Sequence, residues 1–101
     1  MKLLVTGSSG MLGAAICTML EKQHEVLGVS KSGRNGVAAD LSDPAAVKLF
    51  EGQPIDAVVN AAAYTDVDGC EKDPKLAYEA NAVLPKNLAG LCGRKRIPLV
   101  H

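Results

Sequence analysis

The stretch TGSSGMLG at residues 6–13 constrains the fold of this chain more than any other feature. It follows the apolar run KLLV and precedes a segment whose apolar residues repeat at helical spacing. Three glycines spaced three apart between a strand and a helix are typical of a turn that brings backbone N–H groups and a helix N-terminus to a phosphate. We predict Gly7 at the bend, Gly10 against a pyrophosphate and Gly13 at the helix–sheet contact. A tight turn with helix packing and no ligand is the alternative.

Short apolar segments alternate with helix-like segments along the whole chain. The predicted strands are residues 2–6, 25–30, 36–40, 55–60 and 97–101. Several are apolar at consecutive positions, as in Ala57, Val58 and Val59, which is typical of strands covered by helices on both faces. We therefore predict an α/β fold, a Rossmann-type doubly wound parallel sheet with strand order 3-2-1-4-5.

Three predicted helices connect these strands. The first covers residues 10–23, with an apolar repeat formed by Met11, Leu12, Ala15, Ile16, Met19 and Leu20. The other two begin at Asp43-Pro44 and Asp73-Pro74, where aspartate suits the N-cap and proline the first helical position. We expect a kink or break at Pro85, which has no N–H to donate. The stripe of the last helix that should face the sheet is Leu76, Ala80, Leu84, Leu88 and Leu91.

Length and composition limit the classes of function that this chain can have. The 101 residues form at most one domain, and the chain stops at its fifth strand, so we expect an NAD(P)-binding segment over residues 1–101 of a longer protein. Eleven basic against eleven acidic residues argue against nucleic acid or an anionic membrane as a partner. The scattered cysteines Cys17, Cys70 and Cys92 and the lack of a long apolar run indicate a cytoplasmic protein with reduced thiols.

The residues after the second strand bear on which dinucleotide is bound. Sites that prefer NAD place an acidic side chain there to hold the ribose hydroxyl groups. This chain instead has the sequence SKSGR, in which Lys31 and Arg34 would attract the 2′-phosphate of NADP. We predict NADP as the cofactor, with NAD possible; an ordinary solvated basic loop is the alternative.

Two further stretches follow the third and fourth strands. Asp40 would bring a carboxylate to the adenine amino group and Leu41 an apolar side chain to its ring, unless Asp40 simply ends a strand. The small residues in NAAAYT, from Asn60 to Thr65, leave space for a flat cofactor at the carboxyl ends of the strands.

An acidic cluster follows and does not predict a metal site. An EF-hand loop that began at Asp66 would need glycine at its sixth position and glutamate at its twelfth, where the chain has Glu71 and Ala77. Asp68 and Asp73 are then best explained as acidic residues near a helix start.

TGSSGMLG, Asp40-Leu41 and the run NAAAYTDVDGCEKDPKLAYEANAVLPKNLA together resemble the extended short-chain dehydrogenase/reductases. Within them, the whole chain is most similar to the dTDP-4-dehydrorhamnose reductase family. The resemblance implies an NAD(P)H-dependent oxidoreductase of dTDP-L-rhamnose biosynthesis, which reduces a dTDP-4-keto-6-deoxyhexose. It also implies a nucleotide-sugar substrate in the full-length protein and a possible homodimer.

The same resemblance implies roles for individual residues. Gly10, Met11 and Leu12 would wrap the pyrophosphate, Asp40 and Leu41 would contact the adenine, and the nicotinamide-side ribose would be lined by Ala63, Tyr64 and Thr65. The family's proton donor is a tyrosine with a lysine four residues later. Here Asp68 follows Tyr64 and Ala82 follows Tyr78 at that spacing, so we predict no catalytic residue in this segment.

Two other functions remain open on the sequence. One is a non-catalytic nucleotide-binding subunit of the same fold, which would lack the Tyr-x-x-x-Lys pair even in the complete protein. The other is a nucleotide-sugar epimerase or dehydratase, which shares the glycine motif, although the NAAAYT run argues against it.

Overall fold

The structure, a computed structural model, describes residues 1–34, 36–62 and 74–100. Its elements in chain order are β1 (Lys2–Thr6), α1 (Met11–Leu20), β2 (Glu25–Ser30), β3 (Val37–Ala38), α2 (Pro44–Val47), β4 (Ala57–Asn60), α3 (Pro74–Tyr78), α4 (Leu84–Lys95) and β5 (Leu99–Val100). A 3-10 turn (Lys48–Phe50) continues α2, and a π-helical turn (Glu79–Val83) joins α3 to α4. No helix in these ranges is both long and apolar enough to cross a membrane.

The five strands form one parallel sheet in the order β3-β2-β1-β4-β5, which confirms the predicted fold class and strand order. The central strand β1 pairs along its length, with Val5 opposite Gly28 of β2 and Val59 of β4. Strands β1 and β2 have the predicted bounds. The sheet is therefore set by its central strands, which hydrogen-bond to a neighbour on each side.

Three strands are shorter than predicted: β4, which begins at Ala57 and not at Ile55, and the two edge strands. Strand β3 ends at Ala38 because the chain turns at Asp40, whose carbonyl accepts a hydrogen bond from the Asp43 N–H at 3.0 Å. Strand β5 begins at Leu99 and not at Ile97, because the Ile97 N–H is donated to the carbonyl of Cys92 at the end of α4. Turn and cap hydrogen bonds thus compete with the ladder at both edges.

Helices α2 and α4 cover one face of the sheet. Leu4 and Val58 of the sheet pack there against Phe50, Leu88 and Leu91, all nearly inaccessible to solvent. Leu84 is also buried, so the predicted stripe of the last helix is confirmed for its three members in α4. Its other predicted members, at positions 76 and 80, lie outside the residues whose side chains are described.

Helix α1 covers the opposite face, because its right-handed β1–α1–β2 crossover runs the other way along the sheet from the β4–α4–β5 crossover. Its sheet-facing side is marked by the buried Gly13. Met11, Leu12 and Met19 are 94%, 65% and 70% exposed. The predicted apolar repeat is therefore right in period but does not mark one buried stripe, because the close approach at Gly13 fixes which side of the helix faces the sheet.

Two local predictions about helices are confirmed. Asp43 caps α2 by accepting a hydrogen bond from the Ala45 N–H at 2.9 Å, with Pro44 at the first helical position. Before Pro85 the helix widens into a π turn, in which the Leu84 N–H reaches the carbonyl of Glu79. The missing N–H of proline is accommodated by this local change of helical pitch.

Candidate functional site

A cavity of about 440 Å³ opens where the carboxyl ends of the strands meet. It lies at the point where the strand order reverses, between β1 and β4, which is where ligands bind in open parallel sheets. Its volume falls within the range of small-molecule sites. The cavity is lined by Thr6, Gly7, Ser9, Gly10, Val29, Ser30, Lys31, Ser32, Ala39, Asp40, Leu41, Ser42, Ala61, Ala62 and Leu84.

Gly7 turns the chain at the end of β1. Its φ of 66° lies in the left-handed region, which strongly favours glycine. A Cβ on Gly7 would stand 2.6 Å from the backbone nitrogen of Ala62 and 2.7 Å from the carbonyl carbon of Ala61. Glycine is required here by the fold itself, because the turn after β1 touches the chain that leaves β4.

Gly13 is also required by the fold. A Cβ on Gly13 would fall on the carbonyl oxygen of Gly7 and 3.1 Å from the Cα of Ser8. The first turn of α1 therefore lies directly against the loop that precedes it. This close packing holds the helix N-terminus beside the cavity.

Gly10 has a different environment. Its φ of −77° and ψ of 167° are extended values that any residue adopts, and the nearest atom to an added Cβ is the Gly7 carbonyl oxygen at 3.4 Å. The fold alone does not require glycine here. Gly10 lines the cavity and is the N-cap of α1, where no side chain caps the helix. The position thus leaves open the space in front of the helix N-terminus, where partial positive charge favours an anion.

The loop after β2 is held by its own serines. The buried Ser30 accepts a hydrogen bond on Oγ from the Gly33 N–H at 3.1 Å, and Ser32 Oγ accepts one from the Arg34 N–H at 3.2 Å. Lys31 lines the cavity, whereas Arg34 does not. The loop therefore brings one of its two cations to the cavity wall.

Asp40 and Leu41 line the cavity after β3. The Oδ1 atom of Asp40 accepts hydrogen bonds from the Ser42 hydroxyl at 2.6 Å and the Ser42 N–H at 3.1 Å. The Ser42 hydroxyl is the main cause that holds the pKa of Asp40 below its usual value; Lys31 adds to this, and partial burial opposes it. Asp40 is therefore an ionised acceptor at neutral pH, beside the apolar side chains of Leu41 and Leu84.

The chain that leaves β4 is fixed by a side-chain amide. The Oδ1 atom of Asn60 accepts hydrogen bonds from the Thr6 hydroxyl at 2.6 Å and from the Ala62 N–H at 3.1 Å. Ala61 and Ala62 are thereby held against Gly7, with only methyl groups on the cavity wall. Sequence reasoning did not identify Thr6; the available signal was a polar residue at the carboxyl end of the strand next to the one that ends at Asn60.

The structure brings together five of the predicted site residues. Gly7, Gly10, Lys31, Asp40 and Leu41 line one cavity. The remaining predictions divide into residues that do not line it, namely Met11, Leu12, Gly13 and Arg34, and residues outside the described ranges, namely Ala63, Tyr64 and Thr65. Ser9, Ser42 and Leu84 line the cavity although the sequence analysis did not assign them to the site.

Comparisons with known proteins identify similar sequences. The family described as the RmlD substrate binding domain matches residues 1–101. The chain is 38% identical to the probable low-salt glycan biosynthesis reductase Agl14 of Haloferax volcanii, over 96% of this chain and 35% of that protein. It is 36% identical to a dTDP-4-dehydrorhamnose reductase of Mycobacterium tuberculosis, over 99% of this chain and 31% of that protein. The chain thus spans about a third of the length of these relatives.

Solved structures share the same fold. A dTDP-4-dehydrorhamnose reductase from Clostridium acetobutylicum superposes with a TM-score of 0.86 at 37% identity, over 98% of this chain and 34% of that one. The enzyme of the same name from Bacillus anthracis, solved in complex with NADP, gives a TM-score of 0.86 at 25% identity, over 99% of this chain and 35% of that one. A UDP-glucose 4-epimerase from Thermus thermophilus, solved with NAD, gives a TM-score of 0.83 at 28% identity, over 96% of this chain and 35% of that one.

Proposed function

The chain belongs to the family of the RmlD substrate binding domain, and from this membership we propose that its cavity binds NADP, with NAD as a weaker ligand, as the cofactor-binding part of a reductase. The observation that carries the proposal is Gly10. The fold requires glycine at positions 7 and 13, but at position 10 it does not, and there a side chain would project into the space beside the helix N-terminus. A bound pyrophosphate accounts for glycine at that position.

The residues that line the cavity fit the parts of the dinucleotide. Gly10 and the uncapped N-terminus of α1 would receive the pyrophosphate. Leu41 and Leu84 form part of the cavity wall where the adenine would lie, and the ionised Asp40 can accept a hydrogen bond from its amino group. Lys31 is the cation on the cavity wall for a 2′-phosphate. NADP and NAD in the related structures support a nicotinamide cofactor for this chain.

We infer the reaction class from the activity that the names of the relatives state. When bound in reduced form, the cofactor supplies a hydride, and the substrate class indicated by the dTDP-4-dehydrorhamnose reductases is a 4-keto-6-deoxyhexose carried on dTDP. In that reaction the cavity residues of this chain bind and orient the cofactor. None of the 101 residues is assigned to donate the proton, because neither tyrosine is followed by lysine at the required spacing.

We expect Lys31→Ala to reduce the preference of the chain for NADPH over NADH by about tenfold or more. The reason is that a hydrogen bond between charged groups contributes about 1.5–3 kcal/mol, and only NADPH carries the 2′-phosphate. Titration calorimetry with the two cofactors measures the ratio of their dissociation constants directly. Arg34→Ala should change this ratio less, because Arg34 does not line the cavity.

Lys22→Ala is the matched control, since it removes the same charge from the opposite end of the sheet, where Lys22 lies near Met1 and Pro54. It should leave both dissociation constants within about twofold of the unsubstituted chain. Equal affinity of the unsubstituted chain for NADPH and NADH would contradict the role of Lys31. Failure to bind either cofactor would contradict the proposed function.

A further inference from the structure

Asn87 of α4 makes a contact that joins two distant parts of the chain. Its side-chain Nδ2 donates hydrogen bonds to the carbonyl oxygens of Leu41 and Ser42, each at 3.0 Å. A primary amide carries two N–H donors on one nitrogen, so one side chain can satisfy two successive carbonyl groups. Neither carbonyl accepts any of the other backbone hydrogen bonds found among the described turns and loops. Asn87 therefore supplies the partner for this segment of backbone.

The segment that Asn87 holds is the wall of the cavity after β3. Asp40, Leu41 and Ser42 all line the cavity, and no regular ladder fixes them, because β3 ends at Ala38. Asn87 itself does not line the cavity. It stands behind the wall, on the helix whose Leu84 forms a neighbouring part of the same cavity.

Leu41 shows why the position of this backbone matters. Its side chain is 2% exposed and packs in the core beside Leu84 and Leu88, so its location depends on α4. Asp40 is coupled to the same backbone, since its Oδ1 accepts from both the N–H and the hydroxyl of Ser42. A shift of the carbonyls at Leu41 and Ser42 would therefore move both the apolar surface and the carboxylate.

We propose that Asn87 is a positioning residue for recognition of the adenine base: by holding the Leu41–Ser42 backbone against α4, it sets the place of Asp40 and Leu41 at the adenine end of the cavity. This inference rests on the proposed function, because it needs a dinucleotide in the cavity. It adds a residue that does not touch the ligand and that governs which base is accepted.

The test compares NADPH with its hypoxanthine analogue, deamino-NADPH, which has a carbonyl oxygen in place of the adenine amino group. Asp40 can accept a hydrogen bond from the amino group and would oppose the carbonyl, so the unsubstituted chain should prefer NADPH by about tenfold or more. Asn87→Asp keeps the side-chain size but turns acceptor atoms toward two carbonyl oxygens. It should reduce the preference to about threefold or less, as measured by titration calorimetry of both ligands.

A second variant and a control separate positioning from stability. Asn87→Leu removes the donors without adding a charge and should reduce the base preference in the same direction. Lys86→Gln, at an exposed position of the same helix that does not line the cavity, should keep the preference of the unsubstituted chain. A merely structural role would weaken both ligands equally and leave their ratio unchanged.

The outcomes are distinguishable from a failure of the proposed function. If either Asn87 variant keeps the unsubstituted ratio, or if the unsubstituted chain binds both ligands equally, the positioning role is overturned. If the unsubstituted chain prefers NADPH over deamino-NADPH and both Asn87 variants lose this preference while Lys86→Gln keeps it, the role is supported. Failure of the proposed function would appear earlier, as no binding of NADPH by the unsubstituted chain.

Discussion

Gly10→Val should abolish binding of NADPH, with a loss of at least about 100-fold in affinity, while the fold persists. The extended backbone at Gly10 suits a β-branched residue, and only the Gly7 carbonyl oxygen, at 3.4 Å, lies near an added Cβ. The isopropyl group would instead occupy the space that we assign to the pyrophosphate. A steric conflict of about 3 kcal/mol corresponds to this loss.

Calorimetric titration gives the affinity, and circular dichroism with thermal melting shows whether the fold is kept. Gly52→Val is the matched control, because nothing lies within 4 Å of an added Cβ at Gly52, and Gly52 does not line the cavity. The control should bind NADPH like the unsubstituted chain. Normal NADPH affinity in Gly10→Val would contradict the assignment of the pyrophosphate to the glycine turn.

Gly13→Ala should have the opposite effect to Gly10→Val: it should destabilise the fold itself. The added methyl carbon would fall on the carbonyl oxygen of Gly7, and backbone atoms cannot move aside as a flexible side chain can. We expect a destabilisation of more than about 3 kcal/mol, a large fraction of the about 5–15 kcal/mol typical of a domain. The melting temperature should fall by more than about 12 °C.

Gly93→Ala provides the comparison for this second prediction. Gly93 is an exposed residue within α4, and an added Cβ there would meet nothing within 4 Å. Alanine is the better helix former by about 1 kcal/mol, so this variant should melt at the same or a higher temperature than the unsubstituted chain. If Gly13→Ala melted as the Gly93 variant does, the close contact between α1 and the glycine turn would not exist.

These two predictions show what sequence spacing could and could not reveal. The regular spacing of Gly7, Gly10 and Gly13 after a strand predicted a βα turn, and the structure has one. Spacing alone does not separate the three positions physically. Only the neighbours in space do so, because Ala61 and Ala62 crowd Gly7, the Gly7 carbonyl crowds Gly13, and Gly10 lies beside the cavity.

The sheet was predictable where the local signal was strong. Strands β1 and β2 are continuous runs with partners on both sides, and their predicted bounds match the structure. Strand β3 was predicted too long because Ser42 and Asp43 organise a turn around Asp40, and β5 because the Ile97 N–H bonds to the end of α4. Hydrogen bonds of this kind end a strand while the apolar pattern continues.

Two other features were not accessible to sequence patterns. Helix α1 contains no charged residue, so the hydropathy of its residues could not show which side faces the sheet. The contact of Asn87 with Leu41 joins residues 46 positions apart, and no local periodicity reports such a pair. Both features depend on how helices are placed on the sheet.

The most direct test of the central claim is to map NADPH binding on the isotopically labelled chain by nuclear magnetic resonance. The backbone amide signals of Gly7, Gly10, Lys31 and Leu41, all of which line the cavity, should shift on titration and saturate together. Signals of Lys22 and Glu25 at the other end of the sheet should stay in place. If the cavity signals did not move, or if the shifts centred on Lys22 and Glu25, the glycine-lined cavity would not be a dinucleotide site.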